Sequence, residues 1–128
     1  MKLLLDTHVF IWWSSEPEKL SQYVLSLCQD IENNLILSAA SVWEMQIKLQ
    51  LGKLKLQLPL QELIESQQQT NTLQILSVDL EHVLELQNLP PYHYDPFDRL
   101  LIAQANAENV YLISKDEVFS KYEVKLLW

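Results

Sequence analysis

Short apolar runs and helical periods alternate along the chain. Residues 2–5 (Lys-Leu-Leu-Leu), 35–37, 73–76 and 110–113 read as buried strands, and residues 124–127 as a weaker fifth. Between them, apolar residues recur at helical spacing. Val24, Leu27, Cys28 and Ile31 mark one helix over residues 21–31, and residues 42–51 form another that Gly52 ends. Pro59 opens a helix through Leu63 and Ile64, with Gln67, Gln68 and Gln69 near its end. Leu80, Val83, Leu84 and Leu86 predict an amphipathic helix over residues 79–86. Pro96 starts one that runs to residue 107, with Asn109 as its stop, and a further helix begins at Thr7. Strands separated by helices predict parallel pairing and the α/β class: a three-layer α/β/α domain with a central parallel sheet. No linker or repeat divides the chain, so residues 1–128 are expected to form a single domain. In such sheets a ligand site lies beyond the carboxyl ends of the strands.

Composition narrows the chemistry. Gly52 is the only glycine, which removes glycine-rich phosphate loops and dinucleotide-binding turns. No run of eighteen apolar residues occurs, so no membrane span is expected. The apolar stretch before Asp6 is too short for a secretory signal. A soluble cytoplasmic protein follows as the expectation. Cys28 is the single cysteine, which excludes an internal disulfide; it lies among Tyr23, Val24, Leu25 and Leu27 and reads as core. Nine Lys and Arg face seventeen Asp and Glu, a formal charge of −8. That balance opposes tight, unaided binding of a phosphate backbone. It is compatible with a nuclease whose own acids hold cations that meet the phosphate.

Five acids stand where a parallel sheet would gather them. Asp6 follows the first strand, Glu44 lies near the start of the helix after the second, Asp95 and Asp98 open the helix before the fourth, and Asp116 follows the fourth. Each has a local alternative. Asp6 fits a cap for the helix at Thr7, and Ser41-Val42-Trp43-Glu44 fits a capping box. Asp95-Pro96-Phe97-Asp98 has the form of an N-cap, a proline at N1 and an acid at N3. Ser114 fits a turn cap with Asp116 near its positive end. Taken together the cap readings weaken. Carboxylates converging on one edge repel by about 4 kcal/mol per close pair at an effective dielectric of about 20. Such a cluster persists when protons or a bound cation offset the repulsion. Oxygen-only ligands of this kind suit Mg2+ or Mn2+. The histidines His8, His82 and His93 show no zinc spacing and read as structural, with His93 the best exception because it precedes Asp95.

Four blocks together resemble the PIN-domain ribonucleases, and within them the VapC-type toxins of bacterial toxin–antitoxin pairs. They are Leu3-Leu4-Leu5-Asp6-Thr7-His8, Ser38-Ala39-Ala40-Ser41-Val42-Trp43-Glu44 with Leu51-Gly52-Lys53-Leu54, His93-Tyr94-Asp95-Pro96-Phe97-Asp98-Arg99-Leu100-Leu101-Ile102-Ala103-Gln104-Ala105, and Ser114-Lys115-Asp116. The blocks stand in the family's order over nearly the whole chain, each with its acid. Ser114 departs from the family's usual threonine and keeps a hydroxyl. The resemblance implies a PIN-like parallel sheet and a metal-dependent endoribonuclease. Its acids map onto Asp6, Glu44, Asp98 and Asp116, with Asp95 in a subgroup pattern around Pro96-Phe97. It also implies a homodimer and an antitoxin encoded beside the toxin.

The residues support a mechanism of the same kind. Asp6, Asp98 and Asp116 would hold Mg2+ or Mn2+, Glu44 would complete the set or orient water, and Asp95 would support as the helix cap. Lys48, Lys53 and Lys55 fit either RNA-backbone contacts or a solvated surface, and Arg99 reads as a surface ion pair. The run Phe10-Ile11-Trp12-Trp13 cannot all face one side of a helix. It predicts either packing on a partner (a second copy or an antitoxin segment) or cover from the helix near Ser21. Two other phosphoryl-chemistry readings fit less well. A haloacid-type phosphatase needs a second aspartate where His8 stands, and a receiver domain does not spread acids onto helices as Glu44 and Asp98 are. A non-catalytic binding module would keep the fold without the acids.

Overall fold

A computed structural model describes residues 1–128. The strand β1 (Lys2–Leu5) lies at the centre of one sheet. On one side are β2 (Asn34–Ser38) and β3 (Gln74–Leu76); on the other are β4 (Tyr111–Ile113) and β5 (Leu126–Leu127). The order is β3-β2-β1-β4-β5 and every pairing is parallel. The expected α/β/α class with a central parallel sheet is the class observed.

Parallel strands inside a sheet are buried on both faces, so β1 and β2 read as unbroken apolar runs, whereas β3, expected to be buried, is an edge strand exposed at Gln74 and Ile75. Successive residues then split between two cores. Leu3, Leu5, Leu35, Leu37 and Ile113 face a cluster with Val9 and Phe10 of α1 (Thr7–Ser15), Val24 and Cys28 of α2 (Gln22–Gln29), Met45 of α3 (Ala39–Gln50), and Leu60 and Leu63 of α4 (Leu60–Asn71). Leu4, Ile36 and Leu112 face the other, with Leu101, Ile102 and Ala105 of α6 (Pro96–Glu108), Phe119 and Tyr122. Between α4 and α6 lies the short α5 (Leu80–Glu85). Truncating any fully buried leucine of these cores is expected to cost about 2–5 kcal/mol. Cys28 is buried as expected, and burial pushes its thiol up to about 11. No helix is long and apolar enough to cross a membrane.

Three local readings are corrected. The α3 helix begins at Ala39 because Ser38 Oγ accepts from the Ala40 amide at 3.1 Å, so the Ser41–Glu44 capping box does not form. The α2 helix ends at Gln29, and Ile31, expected on its inner face, is 93 % exposed. The α5 helix is inverted: Leu80, Val83 and Leu84 are exposed, and His82 is its buried side chain. Asn109 ends α6 in the left-handed region (φ 54°), and Gly52 (φ 70°) follows α3. In the aromatic run of α1, Phe10 is fully buried. Ile11, Trp12 and Trp13 are half-buried against the same core, with the Trp128 ring 6.2 Å from Trp12. The chain itself therefore covers much of this run.

Candidate active site

The chain builds outward from β1 to β3 and then returns to place β4 on the opposite side of β1. The carboxyl ends of β1 and β4 thus flank the point where strand order reverses, the usual ligand position in such sheets. The next residues there are Asp6 and Ser114. The Asp6 amide continues the ladder by donating to the Ile113 carbonyl at 3.0 Å, which fixes its backbone. Its side chain makes no capping bond to α1. Instead Oδ2 accepts from Ser114 Oγ at 2.8 Å in a buried setting. Burial pushes the Asp6 carboxyl above its ordinary range; the Ser114 bond and His8 work against that, and Glu44 adds to it.

Asp98 is the third residue of α6 and is pushed up to about 7. Burial is the largest cause, followed by the negative charges of Asp95, Asp6, Glu44 and Asp116. The other four acids named from the sequence therefore all bear on the Asp98 carboxyl. Asp95 caps α6: its Oδ1 accepts from the Phe97 and Asp98 amides at 2.9 and 3.1 Å. Glu44 has both oxygens engaged, Oε1 by Thr7 Oγ1 at 2.7 Å and Oε2 by Lys48 at 3.1 Å. Asp116 is exposed and caps a 3-10 turn (Glu117–Lys121) through Oδ1, while its own amide donates to Ser114 Oγ. A cleft of about 220 Å3 opens beside them, lined by Asp6, His8, Val9, Trp12, Lys115 and Asp116.

Several supporting residues were not legible in the sequence. His93 Nε2 lies 3.3 Å from Asp98 Oδ2, and its Nδ1 lies 2.7 Å from the Tyr122 hydroxyl. Arg99 forms no ion pair. It donates to the Pro90 carbonyl at 2.8 Å, the Leu89 carbonyl at 3.3 Å and the Tyr122 hydroxyl at 3.0 Å, which pins residues 89–93 over the start of α6. The surface-pair reading of Arg99 is thereby replaced. Only the position of His93 before Asp95 hinted at this arrangement. Lys48 is tied to Glu44, while Lys53 and Lys55 are exposed.

The donor set fits a hard divalent cation. It is all oxygen, and it crowds negative charge around the Asp98 carboxyl, which burial and its neighbours push above the ordinary range. A second group, Asp79, Glu81 and His82, does not fit one. His82 Nδ1 accepts from the Asp79 amide at 3.0 Å and Nε2 faces Glu108 at 3.3 Å, so both ring nitrogens are committed.

An all-parallel sheet with carboxylates gathered at its switch point defines the class of domain. The PIN domain pattern matches residues 3–125, and the chain belongs to the PIN-domain family. Among curated proteins it is 30% identical to Ribonuclease VapC22 of Mycobacterium tuberculosis over 115 residues, 89% of this chain and 86% of that protein. Among solved structures it resembles VapBC2 from Rickettsia felis bound to a promoter DNA fragment, with a TM-score of 0.75, 18% identity and coverage of 99% of this chain and 98% of that one. FitAcB from Neisseria gonorrhoeae gives 0.65 at 19% identity, covering 98% and 96%. At those identities the structures speak for the fold.

Proposed function

We propose that this protein is an endoribonuclease dependent on Mg2+ or Mn2+, acting in the cytoplasm as the toxin of a toxin–antitoxin pair. The observation that carries the reading is the gathering of Asp6, Glu44, Asp95 and Asp116 around Asp98. The name of the related Ribonuclease VapC22 supports the substrate class. Asp6, Asp98 and Asp116 would hold the cation, which when bound supplies a Lewis acid for the attacked phosphate and its attacking water. Ser114 holds Asp6 in place, and Asp95 orients the first turn that carries Asp98. Glu44, held between Thr7 and Lys48, would complete the set or orient water. No side-chain nucleophile is needed, and the lone thiol of Cys28 is buried. Hydrolysis of this kind leaves a 5′-phosphate and a 3′-hydroxyl.

The reading includes two protein partners. An antitoxin segment with a basic residue would suit the cleft whose walls combine Asp6 and Asp116 with Val9 and Trp12. A second copy would cover the exposed Leu80, Val83 and Leu84 of α5, which the fold leaves without partners. The deciding experiment is RNA cleavage that stops with a chelator and returns with Mg2+ or Mn2+. Asp6→Asn should abolish it in a folded protein. Equal cleavage by wild type and Asp6→Asn in matched samples sinks the proposal. A receiver or phosphatase reading would instead predict phosphorylation or phosphate release without RNA cleavage.

A further inference from the structure

We infer that Trp43 and Tyr94 form a stacking platform for unpaired bases of the substrate RNA, directly beside the acid cluster; this rests on the ribonuclease reading above. Trp43 immediately precedes Glu44, Tyr94 precedes Asp95, and Phe97 precedes Asp98. Trp43 is 62% exposed and Tyr94 is 84% exposed. The other three tryptophans, Trp12, Trp13 and Trp128, are packed against the core. Apart from Tyr23 on α2 and Tyr92, whose ring packs on Tyr122, the open aromatic faces lie at residues that flank the acids.

The geometry holds one of these rings in place. Phe97, half-buried in the first turn of α6, meets the Trp43 ring edge-on, with centroids 5.2 Å apart and planes 71° apart. That contact bridges α3 and α6, the two helices that carry Glu44 and Asp98. It also restrains the indole in advance, so less conformational freedom is lost when a base stacks on it.

Charge explains why such a platform is needed. The chain carries −8, and its site is a cluster of carboxylates. The single arginine is committed to backbone carbonyls and Tyr122, and Lys48 to Glu44. Beside the site Lys115, exposed in the cleft wall, is the cation not held in an ion pair, so contacts that carry no charge add to the affinity open to RNA. Base stacking on an aromatic ring is such a contact, and it tolerates any sequence. A duplex hides its base faces within its own stack, so the platform selects single-stranded or looped RNA.

The test uses the full chain with Asp6→Asn to prevent cleavage, a short unstructured oligoribonucleotide, and the same sequence paired into a duplex. We expect the single strand to quench tryptophan fluorescence and the duplex to bind more weakly. Trp43→Ala should remove the quench and raise Kd by about 5- to 150-fold, and Tyr94→Ala should raise it without altering the quench at Trp43. Trp43→Phe should retain most of the affinity. With Asp6 restored, Trp43→Ala should raise KM more than it lowers kcat. Unchanged Kd and KM in both Trp43→Ala and Tyr94→Ala, or equal binding of duplex and single strand, overturns the platform while leaving the nuclease reading intact. So does light scattering in which Trp43→Ala dissociates a dimer and RNA binding stays as before, since the patch then joins two copies. A wild-type protein that neither binds nor cleaves RNA with added Mn2+ removes the nuclease reading and the platform with it.

Discussion

Ser114 donates a 2.8 Å hydrogen bond to Asp6 across 108 positions of chain. The bond joins the first residue beyond β4 to the first residue beyond β1. The same hydroxyl accepts from the Asp116 amide at 3.1 Å, so one buried oxygen ties together two of the proposed cation ligands. Ser114→Ala strands a buried carboxylate oxygen, which costs about 1–3 kcal/mol. It should lower the melting temperature and weaken Mg2+ binding measured by calorimetry. Ser114→Thr keeps the hydroxyl and should restore both. An alanine variant that melts and binds Mg2+ like wild type would show that the bond contributes nothing.

Asp95 and Asp98 lie three residues apart and should fail differently. Asp95 spends its Oδ1 on two backbone amides, whereas Asp98 faces its fellow acids. Asp98→Asn should abolish cleavage while leaving the metal-free protein as stable as before, or more so, because it relieves repulsion. Asp95→Ala should cost about 0.5–2 kcal/mol as a lost cap. Its activity should fall less and recover in part with added metal. Thermal melts and metal-titrated cleavage of both variants decide it: an Asp95→Ala variant that melts like wild type yet stays inactive at saturating metal would make Asp95 a direct ligand.

The Asp98 carboxyl also sets a pH dependence. Its affinity for protons rises from the ordinary 3.8 to about 7 on folding, so the folded state holds more protons between those limits. Stability from this group is therefore complete below about pH 4 and is lost as pH rises through about 7. Burial pushes Asp6 in the same direction. Metal-free melts between pH 5 and 8, corrected by an Asp98→Asn control, should show the decline. A cation prefers the ionised form, so the stabilisation by Mg2+ should grow over the same range. A Mg2+ effect that shrinks as pH rises would argue against a carboxylate site at Asp98.

Arg99 should matter through shape, not charge. Its guanidinium reaches three carbonyls of residues 89–93 and the Tyr122 hydroxyl, a fan of donors that a lysine ammonium cannot reproduce. Arg99→Lys should therefore lower stability by about 1–3 kcal/mol. It should also increase hydrogen exchange in residues 89–94, with little change in the sheet. Tyr122→Phe should give a milder version of the same pattern. Unchanged exchange in that loop for Arg99→Lys would remove the anchoring role.

Local rules sufficed wherever neighbouring residues settle the structure. The apolar runs at residues 2–5 and 35–37 became central parallel strands, Asp95 before Pro96 became a helix cap, and Gly52 and Asn109 took up the left-handed backbone after their helices. The positions of the acids after strands and at a helix start were legible for the same reason, since each is fixed by a turn or cap a few residues long. Tertiary structure alone decided the rest. Whether Leu80, Val83 and Leu84 or His82 turned inward depended on what α6 offered opposite, and Glu108 and Gln104 there matched the imidazole. Whether Ser41 capped α3 depended on Ser38 reaching the Ala40 amide first. The bond of Ser114 to Asp6 and the reach of Arg99 to Tyr122 are set by strand order and helix packing. Spacing in sequence fixes direction along a helix or strand; it carries no information about which distant surface that direction will meet.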